Sequence, residues 1–237
     1  MSFDNVIHGT LGLQFEETTV QHHTLGVQML FEDGRRFRYV KAGASLTAAN
    51  LVQSEVRTAD WNSENPTAAA ARFATSVTVD VATAPSEDDF KDGWLIDETN
   101  GHTYLLSANT AADPTVLTLA GGYGLETDLE TGDLVSMFKS SYLDVVLKTA
   151  ARADAPVIGV APQTIANNSF GWVQSAGICC CLVEDVLIIG DRVVASPVSD
   201  AGACSASTTD LGLDFGIGVC LEIGSNATNG TILLTID

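Results

Sequence analysis

The side chains best suited to chemistry in this chain are five cysteines and four histidines, and their spacing argues against a shared task. Cys179, Cys180 and Cys181 are consecutive, with Cys204 and Cys220 further along. Zinc sites and dithiol redox sites commonly use a C-x-x-C pair, and that spacing does not occur here. No histidine lies within ligand spacing of the cysteine cluster. Neighbours in a strand point to opposite faces, so Cys179 and Cys181 share one face and Cys180 takes the other. Such thiols read as small buried hydrophobes, with a metal site or functional disulfide as the alternative. The histidines are His8, His22, His23 and His102. Adjacent His22 and His23 in an extended segment diverge, which is wrong for joint ligation of one metal.

The carboxylates give no stronger lead. Asp88 to Thr99 imitates an EF-hand loop at Asp88, Asp92 and Gly93, but Phe90 and Thr99 stand where two ligands are needed. Asp128, Glu130 and Asp133 could hold Ca²⁺ only as a surface turn, and acidic turns are commonplace. The nucleophile elbow G-x-S-x-G, the zinc motif H-E-x-x-H, the P-loop and the dinucleotide-binding glycine fingerprint do not occur. Gly121-Gly122-Tyr123-Gly124 leads into no helix and reads as a turn. Trp94 and Trp172 could stack on a sugar, yet both fall in strand patterns, where a core aromatic is the expected fate. The reading is therefore non-enzymatic, with no catalytic residue, metal or cofactor expected.

Eleven Lys+Arg face thirty Asp+Glu, a formal charge of −19. That balance repels nucleic acid and anionic lipid, so neither is expected as a partner. After Arg152 the only basic residue is Arg192, which leaves the last third acidic. The first residues, MSFDNVIHGTLGL, have neither a basic n-region nor an apolar h-region, so no signal peptide is expected and synthesis is placed in the cytoplasm. Apolar runs such as Ile178–Val183 fall far short of the ~18 residues of a membrane helix.

The elements that must position these residues are strands. The stretch Pro156–Ser196 reads as short strands at Pro156–Ala161, Gly171–Gln174, Cys179–Val183 and Val186–Ile189, closed by Gly159, Asn167–Asn168, Gly177 and Gly190–Asp191. Met29–Phe31 and Arg35–Lys41 form a hairpin across Asp33-Gly34, and residues 89–106 form another across Asn100-Gly101. Val116–Leu119, Leu134–Phe138, Leu143–Leu147, Leu213–Cys220 and Thr231–Ile236 add strands, the last closing a sheet beside an earlier one. Residues 65–73, with Asn65, Pro66 and four alanines, give the only helix start, about two turns long. The expected fold is all-β, an antiparallel sandwich or barrel with no fixed-period repeat. Residues 1–27 are expected as an N-terminal arm that orders on a partner surface. Residues 28–135 and 136–237 follow as two β-rich domains or one continuous domain.

One strand stands out electrostatically. Arg35, Arg36, Arg38 and Lys41 place four of the eleven cations within seven residues, while Phe37 and Tyr39 occupy the alternate face. Either this is a solvated edge guarded by charge, or it is a contact with acidic groups of a partner or a neighbouring copy.

Three blocks carry a resemblance. FEDGRRFRYVKAGASLTAANLV (Phe31–Val52), FKDGWLIDETNGHTYLL (Phe90–Leu106) and the run Val157–Val194 resemble blocks of virion structural proteins of tailed bacteriophages, of the capsid decoration or cement type. The resemblance rests on Asp33, Gly34, Arg35, Phe37 and Tyr39; on Gly93, Trp94, Leu95, Gly101 and Tyr104; and on Gly159, Val160, Ala161, Trp172, Gln174, Gly177, Gly190, Asp191 and Val193. The triple cysteine and the loop Ser199–Gly212 depart from that pattern. What the resemblance implies is a non-enzymatic β-rich homotrimer on the outer surface of the phage head, bridging subunits of the major capsid protein. The residues expected at the capsid or intersubunit contact are Phe3, Ile7 and Leu11 of the arm with Arg35, Arg36, Arg38 and Lys41. A head-fibre or tail-associated receptor- or carbohydrate-binding protein is the alternative.

Overall fold

The computed structural model describes residues 6–57, 59–150, 155–197, 201–207 and 216–237. It is all-β, with sheets of the sandwich and barrel kind, and the helical content of the described residues is two short 3-10 turns at Leu13–Phe15 and Ala120–Gly122. The chain divides into two units. Unit 1 is residues 1–56 together with 141–237, and unit 2 is the inserted segment Arg57–Ser140. This corrects the expected boundary at 135/136: the block Phe31–Val52 folds with the C-terminal half because its strands hydrogen-bond there.

Unit 1 begins with β1 (Val6–His8), β2 (Gln28–Leu30), β3 (Arg36–Lys41) and β4 (Leu51–Gln53). Unit 2 holds β5 (Ser76–Val79), β6 (Trp94–Asp97), β7 (His102–Asn109), β8 (Thr115–Leu119) and β9 (Val135–Phe138). Unit 1 resumes with β10 (Val146–Leu147), β11 (Val157–Val160), β12 (Phe170–Val183), β13 (Arg192–Ala195), β14 (Cys204–Ala206), β15 (Gly216–Cys220) and β16 (Thr228–Thr235).

The hub of unit 1 is β12, fourteen residues long. Two strands read separately from the sequence are one, because Gly177 makes no turn. It sits inside the strand at φ +91°, next to a register shift between Gln174 and Ala176. A bulge fits one extra residue into a continuing strand. There β12 leaves β3 and joins β16, Ala176 being paired with both Arg36 and Thr235. Its second half belongs to a closed ring in the order β12, β14, β13, β15, β16 and back to β12. The interior of so small a barrel is filled by side chains, here Cys179, Cys181, Val183, Val193, Cys204, Ile217, Cys220, Ile232 and Leu234. Thiols suit this narrow space as compact hydrophobes, while Cys180 faces outward and is exposed. Val40, Leu46, Val52, Val145, Ile158 and Val173 form a second core, and Met29, Phe31, Phe37, Tyr39 and Trp172 a third.

A repeat without a fixed period underlies unit 1. Isolated antiparallel bridges join Leu46 to Ile165 and Leu187 to Gly224. Three residues after each bridge residue the backbone turns left-handed, at Ala49 (φ 62°), Asn168 (φ 62°), Gly190 (φ 92°) and Ala227 (φ 58°). One residue later an N–H donates back three positions: Asn50 to Thr47, Ser169 to Ala166, Asp191 to Ile188 and Thr228 to Ser225. The left-handed residue's own N–H donates to the partner turn's approaching strand, at Ala161, Ala42, Cys220 and Val183 respectively. The same turn is thus built four times, as two interlocked pairs. Unit 2 interrupts the run between the first and second turns, and unequal spacing hides the recurrence in the sequence.

Unit 2 is an antiparallel sheet ordered β5-β8-β7-β6-β9 over a core that includes Trp61, Phe90, Leu95, Leu106, Leu117 and Met137. The Asn100-Gly101 hairpin forms as read, with Gly101 at φ +77° and the buried Asp97 carboxylate accepting from the Asn100 N–H at 2.9 Å. The helix expected over 65–73 does not form. Pro66 bridges Val79, Ala70 exchanges both backbone hydrogen bonds with Leu129, and Phe73 is left-handed at φ 70°. Backbone groups that a helix would have paired locally are used sideways, so tertiary pairing overrides the alanine propensity.

Candidate functional site

The arm and the basic strand are both largely engaged within the chain. From Val6 onward the N-terminal segment is fastened to unit 1. β1 pairs in parallel with β2, the Gly9 N–H donates to Leu30 at 2.9 Å, and Thr18 and Phe170 exchange hydrogen bonds at 3.0 and 2.7 Å. Ile7, Leu13, Leu25 and Val27 pack on the Phe37/Tyr39/Trp172 core. The His22 N–H donates to the Tyr39 hydroxyl, and the His23 ring lies 5.1 Å from Tyr39 and 5.5 Å from Trp172. Burial there, with His22 alongside, pushes the His23 pKa down. Residues 6–27 are therefore ordered on the chain's own sheet, which corrects the expectation that they need a partner. Phe3 lies outside the described residues. Of the arm residues singled out, Ile7 is half-buried and Leu11 is exposed at 81%. Phe15 and Val20 are exposed beside it in sequence.

The strand β3 lies between β2 and β12, so it is no edge. Phe37 and Tyr39 are buried on one face as read, and Val40 is buried on the other. Arg35 bonds Asp33 at 2.7 Å and lies 5.0 Å from the Phe31 ring centroid. Its backbone and side-chain donors hold the Asp33 carboxyl below its ordinary value. Lys41 pairs with Asp144 at 3.3 Å. Arg38 grips Asp237 with two donors, at 2.7 and 3.0 Å, and donates a third hydrogen bond to the Gly26 carbonyl. Burial raises the Asp237 pKa, but the Arg38 guanidinium and the Ser175 hydroxyl outweigh it and leave the carboxyl depressed. Hydrogen bonding to Asp237 holds Arg38 all the more firmly charged. Arg36 alone of the four is exposed, with no ion pair among the described residues.

A second surface escaped the sequence reading. The turn after β12 carries Val186, Ile188 and Ile189, and its partner turn carries Ile223; these are 64, 61, 63 and 64% exposed. Only Leu187 of that turn points inward. The sequence reads Val186–Ile189 as a strand because its residues are apolar and β-branched, and that pattern gives no sign that most of them face solvent.

On unit 2 the outer face of the sheet sets Leu105, Trp94 and Phe138 in one cross-strand row. Trp94 is 44% exposed, which corrects its expected place in the core, whereas Trp172 is buried as read. The Arg57 guanidinium lies 3.4 Å from the Phe138 ring centroid. Alongside, the Glu98 carboxylate accepts from the Ser136 hydroxyl at 2.5 Å and the Ser63 hydroxyl at 2.9 Å, and these bonds lower its pKa.

The thiols show no sign of activation. Burial pushes Cys179 up to about 12, and the neighbouring Cys204 together with burial pushes Cys181 up as well. All five are free. Among the described residues no group of three or more His, Cys, Asp or Glu side chains could hold a metal, and no helix is long and apolar enough to cross a membrane. No known protein family, characterised protein or solved structure matches the chain.

Proposed function

We propose that this chain is a capsid decoration protein of a tailed phage, binding the outer surface of the head and stabilising contacts between major capsid protein subunits as a homotrimer. The observation that carries the reading is an acidic all-β body presenting large apolar side chains to solvent on fastened backbone: Leu11, Phe15 and Val20, and the Val186/Ile188/Ile189/Ile223 turns. Exposed apolar side chains grouped on an ordered surface fit docking. The three blocks that resemble decoration proteins supply the setting, and the charge of −19 keeps a protein present in many copies soluble. Its work is mechanical. A contact of ordinary size, repeated over a shell, adds stability at every joint against internal pressure.

The test is rebinding to heads of the phage that encodes it, stripped of accessory proteins. Saturable binding that raises the temperature of head disruption is expected, and Leu11→Asp with Phe15→Asp should weaken it by about tenfold or more. Folded protein that leaves heads unbound and their disruption temperature unchanged refutes the reading.

Trp94 favours a second reading, a head-fibre or tail-associated carbohydrate-binding protein. An exposed tryptophan flanked by Leu105 and Phe138 offers a flat face for a sugar ring. Binding of host surface glycans that Trp94→Ala abolishes, with heads ignored, would establish it.

A further inference from the structure

Four of the five thiols fill one small barrel, and the register of its wall decides which of them can meet. Cys179 and Cys220 are each paired with Ile232, so β16 stands between them. Cys180 is exposed on the outside. Cys181 has Gly230 opposite it on β16 and β14 along its other side. That second seam is the slightest of the ring. There β14 meets β12 in a single residue pair, Val183 with Cys204, whereas the β13–β14, β13–β15 and β15–β16 seams hold three pairs each. Just before that pair the backbone turns to other partners: the Leu182 N–H donates to Ala49 and the Gly202 carbonyl accepts from Leu51, both at 2.7 Å. Cys181 lies two positions before Val183 on the same inward face. It shares a hydrogen bond with Cys204 across this gap in the ladder, and both thiols are wholly buried.

The geometry points to Cys181 and Cys204 as a latent redox pair, free under reducing conditions and joined by peroxide into a disulfide that staples the β12–β14 seam. Hydrogen peroxide transfers one oxygen to the sulfur of one thiol, giving a sulfenic acid and one water. The second sulfur then attacks the sulfenic sulfur, the S–S bond forms, and the hydroxyl leaves with the second thiol's proton as another water. Two thiols are oxidised and one peroxide is reduced, so the step balances. The Cys204 hydrogen bond and burial keep the Cys181 thiol protonated, which makes the reaction slow. Peroxide reaches the pair when the seam opens locally, and only one ladder pair must part for that. The same looseness lets β14 shift so that sulfurs already in contact can draw together to the bond length. Once formed, the bond closes a loop that contains β13 and restricts the unfolded chain, which stabilises the barrel. A chain folded in a reducing compartment is thus hardened when it passes into an oxidising one. The inference goes beyond the decoration reading and does not depend on what the chain docks to.

Trypsin reads the bond. Arg192 is the only basic residue after Arg152, so digestion of the unfolded chain puts Cys179, Cys180 and Cys181 on the peptide 153–192 and Cys204 and Cys220 on the peptide 193–237. The full chain with Cys180→Ser, which removes the exposed thiol, is purified reduced, incubated with hydrogen peroxide, and unfolded with its remaining thiols blocked. The intact mass is expected to fall by two hydrogens. The two peptides should stay joined until dithiothreitol is added, and fragmentation of the joined pair should place the bond between Cys181 and Cys204. Adding Cys181→Ala or Cys204→Ala should abolish the link, while Cys220→Ala should keep it. The oxidised protein should unfold at a higher urea concentration than the reduced protein, and dithiothreitol should reverse the gain. Peptides that separate without reductant, a bond mapped to Cys179 or Cys220, or an oxidised midpoint no higher than the reduced one overturns the inference. The mapping is done on the parent protein, so it stands even where an alanine variant fails to fold.

Discussion

Breaking the pair between Arg38 and Asp237 tests whether the basic strand belongs to the fold or to a partner. The two side chains join positions 199 residues apart through two charge-assisted hydrogen bonds, and the Ser175 hydroxyl adds a third at 2.6 Å. Hydrogen bonds to charged groups contribute about 1.5–3 kcal/mol each in protected sites. Here the side chains keep 25 and 20% of their surface exposed, so solvent screening reduces the sum. A coupling of about 1–2 kcal/mol is expected from a double-mutant cycle of Arg38→Met and Asp237→Asn, read by urea denaturation of the full chain. Because the folded carboxyl titrates below its ordinary value, its contribution is complete above the unfolded carboxylate pKa, about 3.9. It is lost as the pH falls through the lower folded value. The coupling should therefore persist at pH 6 and fade toward pH 3. Single-mutant effects that simply add, leaving a coupling under about 0.3 kcal/mol at pH 6, would refute the internal pair and return Arg38 to the candidates for partner contact.

Further predictions concern the cores and the two units. Native protein treated with iodoacetamide should take one adduct, at Cys180, and denatured protein five, read by intact mass; rapid native labelling of Cys181 or Cys204 would contradict the filled barrel. Gly218→Ala would place a Cβ 2.2 Å from the Leu233 carbonyl oxygen, so unit 1 should lose about 2 kcal/mol or more of stability, seen as a lower denaturation midpoint. Acrylamide should quench one tryptophan class far better than the rest, and Trp94→Phe should remove that class while Trp61 and Trp172 stay protected.

The sequence was most legible where turn chemistry and alternation coincide. Asp33-Gly34 and Asn100-Gly101 announce their hairpins because a left-handed residue is required there, and the facing of Cys179 and Cys181 follows from the two-residue period of a strand. Legibility failed where long-range pairing decides. Gly177 reads as a stop but serves as a bulge, the 65–73 segment gives up its backbone sideways, Pro66 to Val79 and Ala70 to Leu129, and Arg38 finds a partner at Asp237. The inserted unit conceals that the four turns are one motif. The apolar turn at Val186–Ile189 is invisible as a surface because composition alone cannot tell outward isoleucines from inward ones.

Cryo-electron microscopy of heads with the protein present and genetically deleted would show whether the chain decorates the shell. Difference density is expected on the outer surface of the shell, shaped as an all-β oligomer that straddles joints between major capsid protein subunits. Identical shells in both preparations, or the added density confined to fibres or the tail, would contradict it.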